Sequence, residues 1–292
     1  MYLYYGEIIM TIQLSRPGLL TALLFVSVPA IGQTALDQIR SQGVIRIGIA
    51  NEAPYAYLDE QGEARGEAPV VLREVLQQLD PAITVEAVVT EFGNLIPDLK
   101  AGKFDMIAAG MFITPTRCAE VAFTEPTYKV GEAFAVRQGN PKQLTGYEAI
   151  AAQPEVRVAV MAGAVEYSYA YAANVYYDQV LVVPDYQQAL DKLQAGDVDA
   201  IGMTSLTAQA LVEDSGDDKI EATEQFYPQI DGEPIAGYGA FAVRPDDQAL
   251  LDELNRHLKT LIGTDQHWQA VKPYGFGPAM LPDKTAAQLC AR

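Results

Sequence analysis

Histidine and cysteine are scarce in this chain, and cationic side chains are outnumbered. Its 292 residues hold two histidines and two cysteines, and 20 lysines and arginines stand against 38 aspartates and glutamates. The histidines, His257 and His267, fall late in the chain on a helical stretch where a surface or packing role suits them. No Ser/His/Asp set, phosphate loop or metal-ligand cluster is visible, so the usual enzymatic signatures are missing. A formal net charge of −18 repels nucleic acid and anionic membrane, which sets both aside as partners. Long apolar runs are missing too, apart from residues 18–32.

That one run, GLLTALLFVSVPAIG, follows Arg16 and is too short for a comfortable membrane span. With the small residues Ala30 and Gly32 at its end, it reads as a signal peptide over residues 1–32, the mature chain starting near Gln33. An uncleaved anchor is the alternative. Glu7 suits such a segment poorly, and Met10 would begin a cleaner one. No lipid-accepting cysteine follows, so a periplasmic protein without a lipid anchor is expected. An even cysteine count in an exported chain favours a disulfide, Cys118 to Cys290, with two free buried thiols as the alternative. Hydrophobic residues at 49% and charged residues at 20% are an ordinary globular balance, and the length favours two lobes over one core.

From Leu36 the pattern alternates. ALDQIRSQGVIRIGIA reads as helix, glycine stop and strand; APVVLREVLQQLD is an amphipathic helix with Val71, Val75 and Leu79 on one stripe. Strands and helices then succeed one another to QALLDELNRHLKTLIG, which implies α/β lobes with mostly parallel sheets. Two segments echo each other, LIPDLKAGKFDMIAAG and ALDKLQAGDVDAIGM: helix, Ala-Gly stop, then an aspartate leading into an apolar strand. The pentapeptide AFAVR occurs twice, at 133–137 and 240–244, each time ahead of a turn signal. Two such strands at the ends of two similar halves suit a crossing point between lobes. The expected division is 33–137 with 240–292 as lobe one and 138–239 as lobe two, with a hinge and a cleft for a small ligand.

The frame AGMFITPTRCAEVAFTEPTY, residues 109–128, resembles the solute-binding protein family of polar amino-acid ABC importers, and the likeness extends over the mature chain. Within that family, NEAPYAY, GEAP, VVTEFGNLI, FDMIAAGMFITPTRC and AAQLCAR resemble the subgroup that binds ectoine and hydroxyectoine, whose pattern includes the Arg-Cys pair and the late cysteine. The resemblance implies a two-lobed periplasmic-binding-protein fold and no enzymatic activity or cofactor. It also implies a monomer that hands a zwitterion to a membrane permease.

Residue chemistry agrees with that implication. Arg117 can grip a carboxylate through two parallel hydrogen bonds, which is the role the resemblance assigns to its position. Tyr55, Phe92 and Phe112 each follow a predicted strand, where open α/β sheets place ligands. Three aromatic faces there can box a delocalised cation such as the ring amidinium of ectoine. Glu52 beside them would accept the ring N–H groups. Amino-acid binders of the family end a second-lobe strand in an aspartate for the α-ammonium; here that position is Thr204. The second-lobe helix starts Gly163-Ala164-Val165 and so lacks one hydroxyl, though Gly163 retains a backbone N–H. Glu166 is a further second-lobe contact. A polar amino acid or a betaine-like zwitterion is the alternative ligand. A periplasmic dehydratase or lyase on the same fold is the alternative class, and needs a proton donor or acceptor in the cleft.

Overall fold

The computed structural model describes residues 33–291, so the expected signal peptide lies outside the described residues. Helix α1 (Ala35–Gln42) starts at a capping box, Thr34 with Asp37, and ends at Gly43 in the left-handed region. It leads into β1 (Val44–Ile49), where Ile45, Ile47 and Ile49 are fully buried. Helix α2 (Glu67–Leu79) buries Val71 and Val75 as expected, but Leu72 and Leu76 share the buried face while Leu79 stays at its margin. Strands β2 (Thr84–Val89) and β3 (Met106–Ile107) run parallel to β1 on either side. Helix α3 (Leu95–Lys100) precedes β3, and the four-residue α4 (Pro115–Cys118) precedes β4 (Ala122–Phe123).

After β5 (Tyr128–Val130) the chain enters a second sheet with β6 (Glu132–Arg137), β7 (Val158–Met161), β8 (Val180–Val183), β9 (Ala200–Thr204) and β10 (Ile220–Ala222). It returns through β11 (Gly237–Gly239) to β12 (Ala242–Val243) in the first sheet. The first sheet runs β2-β1-β3-β12-β4 and the second β8-β7-β9-β6-β10. Each has three parallel strands, then an antiparallel strand in fourth place, then an antiparallel edge. The fourth place is where the two AFAVR copies stand. The copy at 133–137 belongs to the second sheet, where it pairs β9 and β10, although the sequence division had counted it with lobe one. The copy at 240–244 belongs to the first. The crossing itself is made just before each copy, where β5 and β11 pair as a two-stranded antiparallel ribbon. Phe134 and Phe241 are buried in equivalent settings, because both faces of each sheet are covered.

The echoed segments do matching work. Asp105 accepts from the backbone N–H and guanidinium of Arg46 at 2.8 Å each. Asp199 accepts from Arg137 at 2.6 Å and from the backbone N–H of Arg157 at 3.0 Å. In both sheets an aspartate at the strand start thus ties two neighbouring strands together. Cys118 and Cys290 form a disulfide with Cα atoms 5.7 Å apart, inside the usual range of about 4.4–6.8 Å. It joins α4 to the last helix, Ala286–Cys290.

Candidate ligand-binding site

The carboxyl ends of β2, β1 and β3 face those of β7, β8 and β9 across one small cavity of about 20 Å3, room for about one water molecule. The first sheet supplies Glu52 and Tyr55 after β1, Phe92 after β2, and Phe112 and Arg117 after β3. The second supplies Met161, Ala164, Val165 and Glu166 after β7, Tyr186 after β8, and Thr204 at the end of β9. Seven of the eight residues singled out in the sequence therefore line one cavity. Gly163 meets it through its carbonyl, which accepts from Arg117 Nη2 at 2.9 Å.

Arg117 is half-buried, stacked 5.5 Å from the centre of the Phe92 ring. It also donates to the Phe112 carbonyl at 2.8 Å. Two of its five N–H donors are thus used on backbone oxygens, and these fix the guanidinium plane. Desolvation pulls its pKa down, but a guanidinium stays charged. Tyr55 is held from behind by Tyr128, with ring centres 5.2 Å apart, and by Phe276, 5.6 Å away edge-on. Phe112 meets Tyr128 edge-on at 6.5 Å. The aromatic walls are therefore part of the core and not mobile surface groups.

A directed chain of hydrogen bonds closes the cavity. Tyr55 Oη donates to Thr204 Oγ1 at 2.9 Å, Thr204 Oγ1 to Thr207 Oγ1 at 3.0 Å, and Thr207 Oγ1 to Glu52 Oε1 at 2.7 Å. It leaves the first sheet, passes through the second and returns. Thr204 also caps α8 (Ser205–Ser215) by accepting from the Thr207 N–H at 3.2 Å. Burial pushes the Glu52 carboxyl up to about 8, against the Thr207 bond and the Arg117 charge, which both hold it down. Glu166 is raised to about 7, chiefly by burial, with Arg117 and a bond from Tyr186 opposing. Gly163 takes φ +78°, and a Cβ there would stand 2.6 Å from the Gly93 Cα, so the two loops touch backbone to backbone.

Sequence reasoning missed Tyr186, Thr207 and Glu132. Tyr186 could have been found, because it follows the strand VLVVP just as Tyr55 follows IRIGIA. Glu132 could not, because it reaches the site's neighbourhood only through its pairing with Thr204 across β6 and β9. His257 and His267 do not line the cavity; both are buried, on helices Gln248–Leu261 and Asp265–Val271.

The family model for bacterial extracellular solute-binding proteins, family 3, matches residues 45–277. A probable amino-acid ABC transporter periplasmic-binding protein, y4tE of Sinorhizobium fredii (strain NBRC 101917 / NGR234), is 37% identical over 273 residues, 92% of this chain and 90% of that one. The crystal structure of EhuB in complex with hydroxyectoine has a TM-score of 0.80 at 34% identity, covering 88% of this chain and 99% of that one. An arginine-binding protein from T. maritima, in a mutant form, has a TM-score of 0.68 at 26% identity, covering 82% and 99%. Two lobes on one plan, a cleft at their strand ends and a match over most of the chain lead to one statement of kinship: this chain belongs to the bacterial extracellular solute-binding proteins, family 3.

Proposed function

We propose that this protein captures ectoine or hydroxyectoine in the cleft between its lobes and delivers it to the permease of an ABC importer. The observation that carries the reading is the gathering of Tyr55, Phe92, Phe112, Arg117 and Glu52 around one small cavity. In this reading Arg117 takes the carboxylate, the three aromatic faces take the amidinium ring, and Glu52 takes ring N–H groups. Each aromatic face contributes about 0.5–2 kcal/mol, depending on how dry the contact is. Thr204, where an ammonium-binding carboxylate would stand, argues against an ordinary α-amino acid. The lobes are taken as 33–130 with 240–291 and 132–236, pivoting on the β5–β11 ribbon. The site works in the periplasm, without cofactor or chemistry.

A second reading rests on Glu52 and Glu166, two acids in one cavity: a more cationic polar amino acid could use both. Calorimetry or thermal shift with ectoine, hydroxyectoine, glycine betaine, proline, glutamate and arginine tests both readings. Ectoine or hydroxyectoine is expected to bind far more tightly than the rest. Tight arginine binding with no response to ectoine would replace the first reading by the second. The same raised acids make a dehydratase or lyase testable: prephenate-like and arogenate-like compounds should be recovered unchanged.

A further inference from the structure

Two acidic residues of the second lobe have unmatched oxygens among the described residues. Glu166 opens α6 (Glu166–Ala172), lines the cavity and is 2% exposed. It takes a bond from Tyr186, but its Oε2 is buried with no hydrogen-bond partner. Glu132 lies opposite Thr204 in the pairing of β6 with β9 and is 1% exposed, with both carboxyl oxygens buried and unpartnered. Leaving three carboxyl oxygens in this state as anions is expensive, since buried charge needs partners. The groups that face Glu166 are Arg117 from α4, Glu132 from β6, Glu52 from the loop after β1, Tyr186 from α7 (Tyr186–Ala195), Tyr147 from α5 (Tyr147–Ala151) and Tyr169 from its own helix. Arg117 is the one cation among these.

A ligand carboxylate drawn to Arg117 enters a small cavity that Glu166 also lines. Two ionised carboxylates so close in a dry cavity repel each other, and the usual resolution is that one holds a proton. We propose that Glu166, backed by Glu132, is a ligand-reading residue that meets the substrate's carboxylate as a neutral acid, donating from Oε2 while Arg117 donates from the other side, so that capture takes up a proton. The proton comes from solvent, and the Glu166 Oε2–H then points at a ligand carboxylate oxygen. The inference rests on the proposed function, because it requires a ligand with a carboxylate on Arg117. Burial already holds Glu166 near 7, and the Glu132 carboxyl is raised further by burial and by Glu166 itself. The ligand carboxylate pushes Glu166 higher still in the complex. Its contribution to affinity is therefore complete below about pH 7 and is lost as the pH rises from there through the higher value that Glu166 takes in the complex. Glu52 acts in the opposite sense: a ligand cation beside it lowers its pKa from about 8, so it sheds a proton on binding. The wild-type proton count is the difference of the two, and Glu166 must be isolated by substitution.

The test is calorimetry of ectoine binding in two buffers of different ionisation enthalpy, between about pH 6 and 8, on wild type and Glu166→Gln. Proton uptake is expected to be greater in wild type than in Glu166→Gln by up to about one proton per ligand. The ratio of wild-type to variant affinity is expected to fall by as much as about tenfold per pH unit above about pH 7. A difference of zero overturns the proposal. So does greater proton release in wild type, which would mean that Glu166 meets the ligand's cation as an anion. If thermal unfolding shows Glu166→Gln misfolded, Tyr186→Phe serves instead: deleting a donor that holds the Glu166 carboxyl down raises its midpoint, and an unmoved midpoint is adverse. Wild type that binds neither ectoine nor hydroxyectoine at any pH overturns the proposed function itself, and this inference with it. That outcome is distinct from a bound ligand with no proton difference.

Discussion

The two lobes are built on one strand order yet bring different chemistry to the edges that meet. The first brings aromatic faces and a guanidinium braced from behind, Tyr55 by Tyr128 and Phe276, and Arg117 by the carbonyl of Phe112. The second brings hydroxyls, backbone and acids, some with buried oxygens that no described residue satisfies. The difference teaches a division of labour. A braced wall of large groups can recognise a ligand before closure, since its geometry is already set. A wall of small polar groups acts only once the lobes meet, because its bonds to Tyr55 and Glu52 span the cleft.

Substitutions on each side put that division at risk, the most damaging first. Arg117→Ala takes the cation from the braced wall and leaves a ligand carboxylate unmatched. A loss of about 2–5 kcal/mol is expected, roughly 30-fold to several thousand-fold in Kd by calorimetry with ectoine. An unchanged isotherm would remove Arg117 from the site. Gly163→Ala strikes the second wall where it touches the first: the new Cβ would press on Gly93, at a φ that suits glycine. Closure should cost about 1–3 kcal/mol more, seen as weaker binding with thermal stability of the ligand-free protein changed less. Equal affinity would mean that the two loops separate in the bound state.

Phe112→Leu keeps bulk but removes a π face, and about 0.5–2 kcal/mol of affinity should go with it. Full retention of ectoine binding would reduce the aromatics to space-filling. The mildest test is Tyr55→Phe, which keeps the ring and deletes the first donor of the chain through Thr204 and Thr207. About 0.5–1.5 kcal/mol is expected, appearing mainly in the dissociation rate, because the lost bond exists only between closed lobes. A change confined to the association rate would place Tyr55 in first recognition instead.

Much of the braced wall was legible in the sequence. Tyr55, Phe92 and Phe112 follow strands whose apolar runs are plain, and Arg117 sits in a distinctive frame. The second wall was harder. Thr204 was located, but α8, which it caps, went unread: Ser205, Leu206, Thr207 and Ala208 are buried in succession, so no helical stripe shows. With α8 missing, Thr207 and the hydrogen-bond chain could not be anticipated. The AFAVR repeat announced two equivalent strands, and both stand fourth in their sheets. Which sheet held which copy depends on pairing partners some 65 and 85 residues away for the first copy, as with Ala200 and Ala222, and five letters carry no such information.

The disulfide beside Arg117 has a bearing on how firmly the arginine is held. Helix α4 is four residues long, too short to hold itself, and its last residue, Cys118, is tied to Cys290 across 172 positions of chain. Synthesis runs from low numbers to high, so every other wall of the cavity is made long before the anchor's tether. Without that bond, α4 and the arginine it carries keep only local ties, among them the Thr114 cap and the Phe112 carbonyl. The oxidised chain is therefore expected to hold Arg117 more firmly than a reduced one.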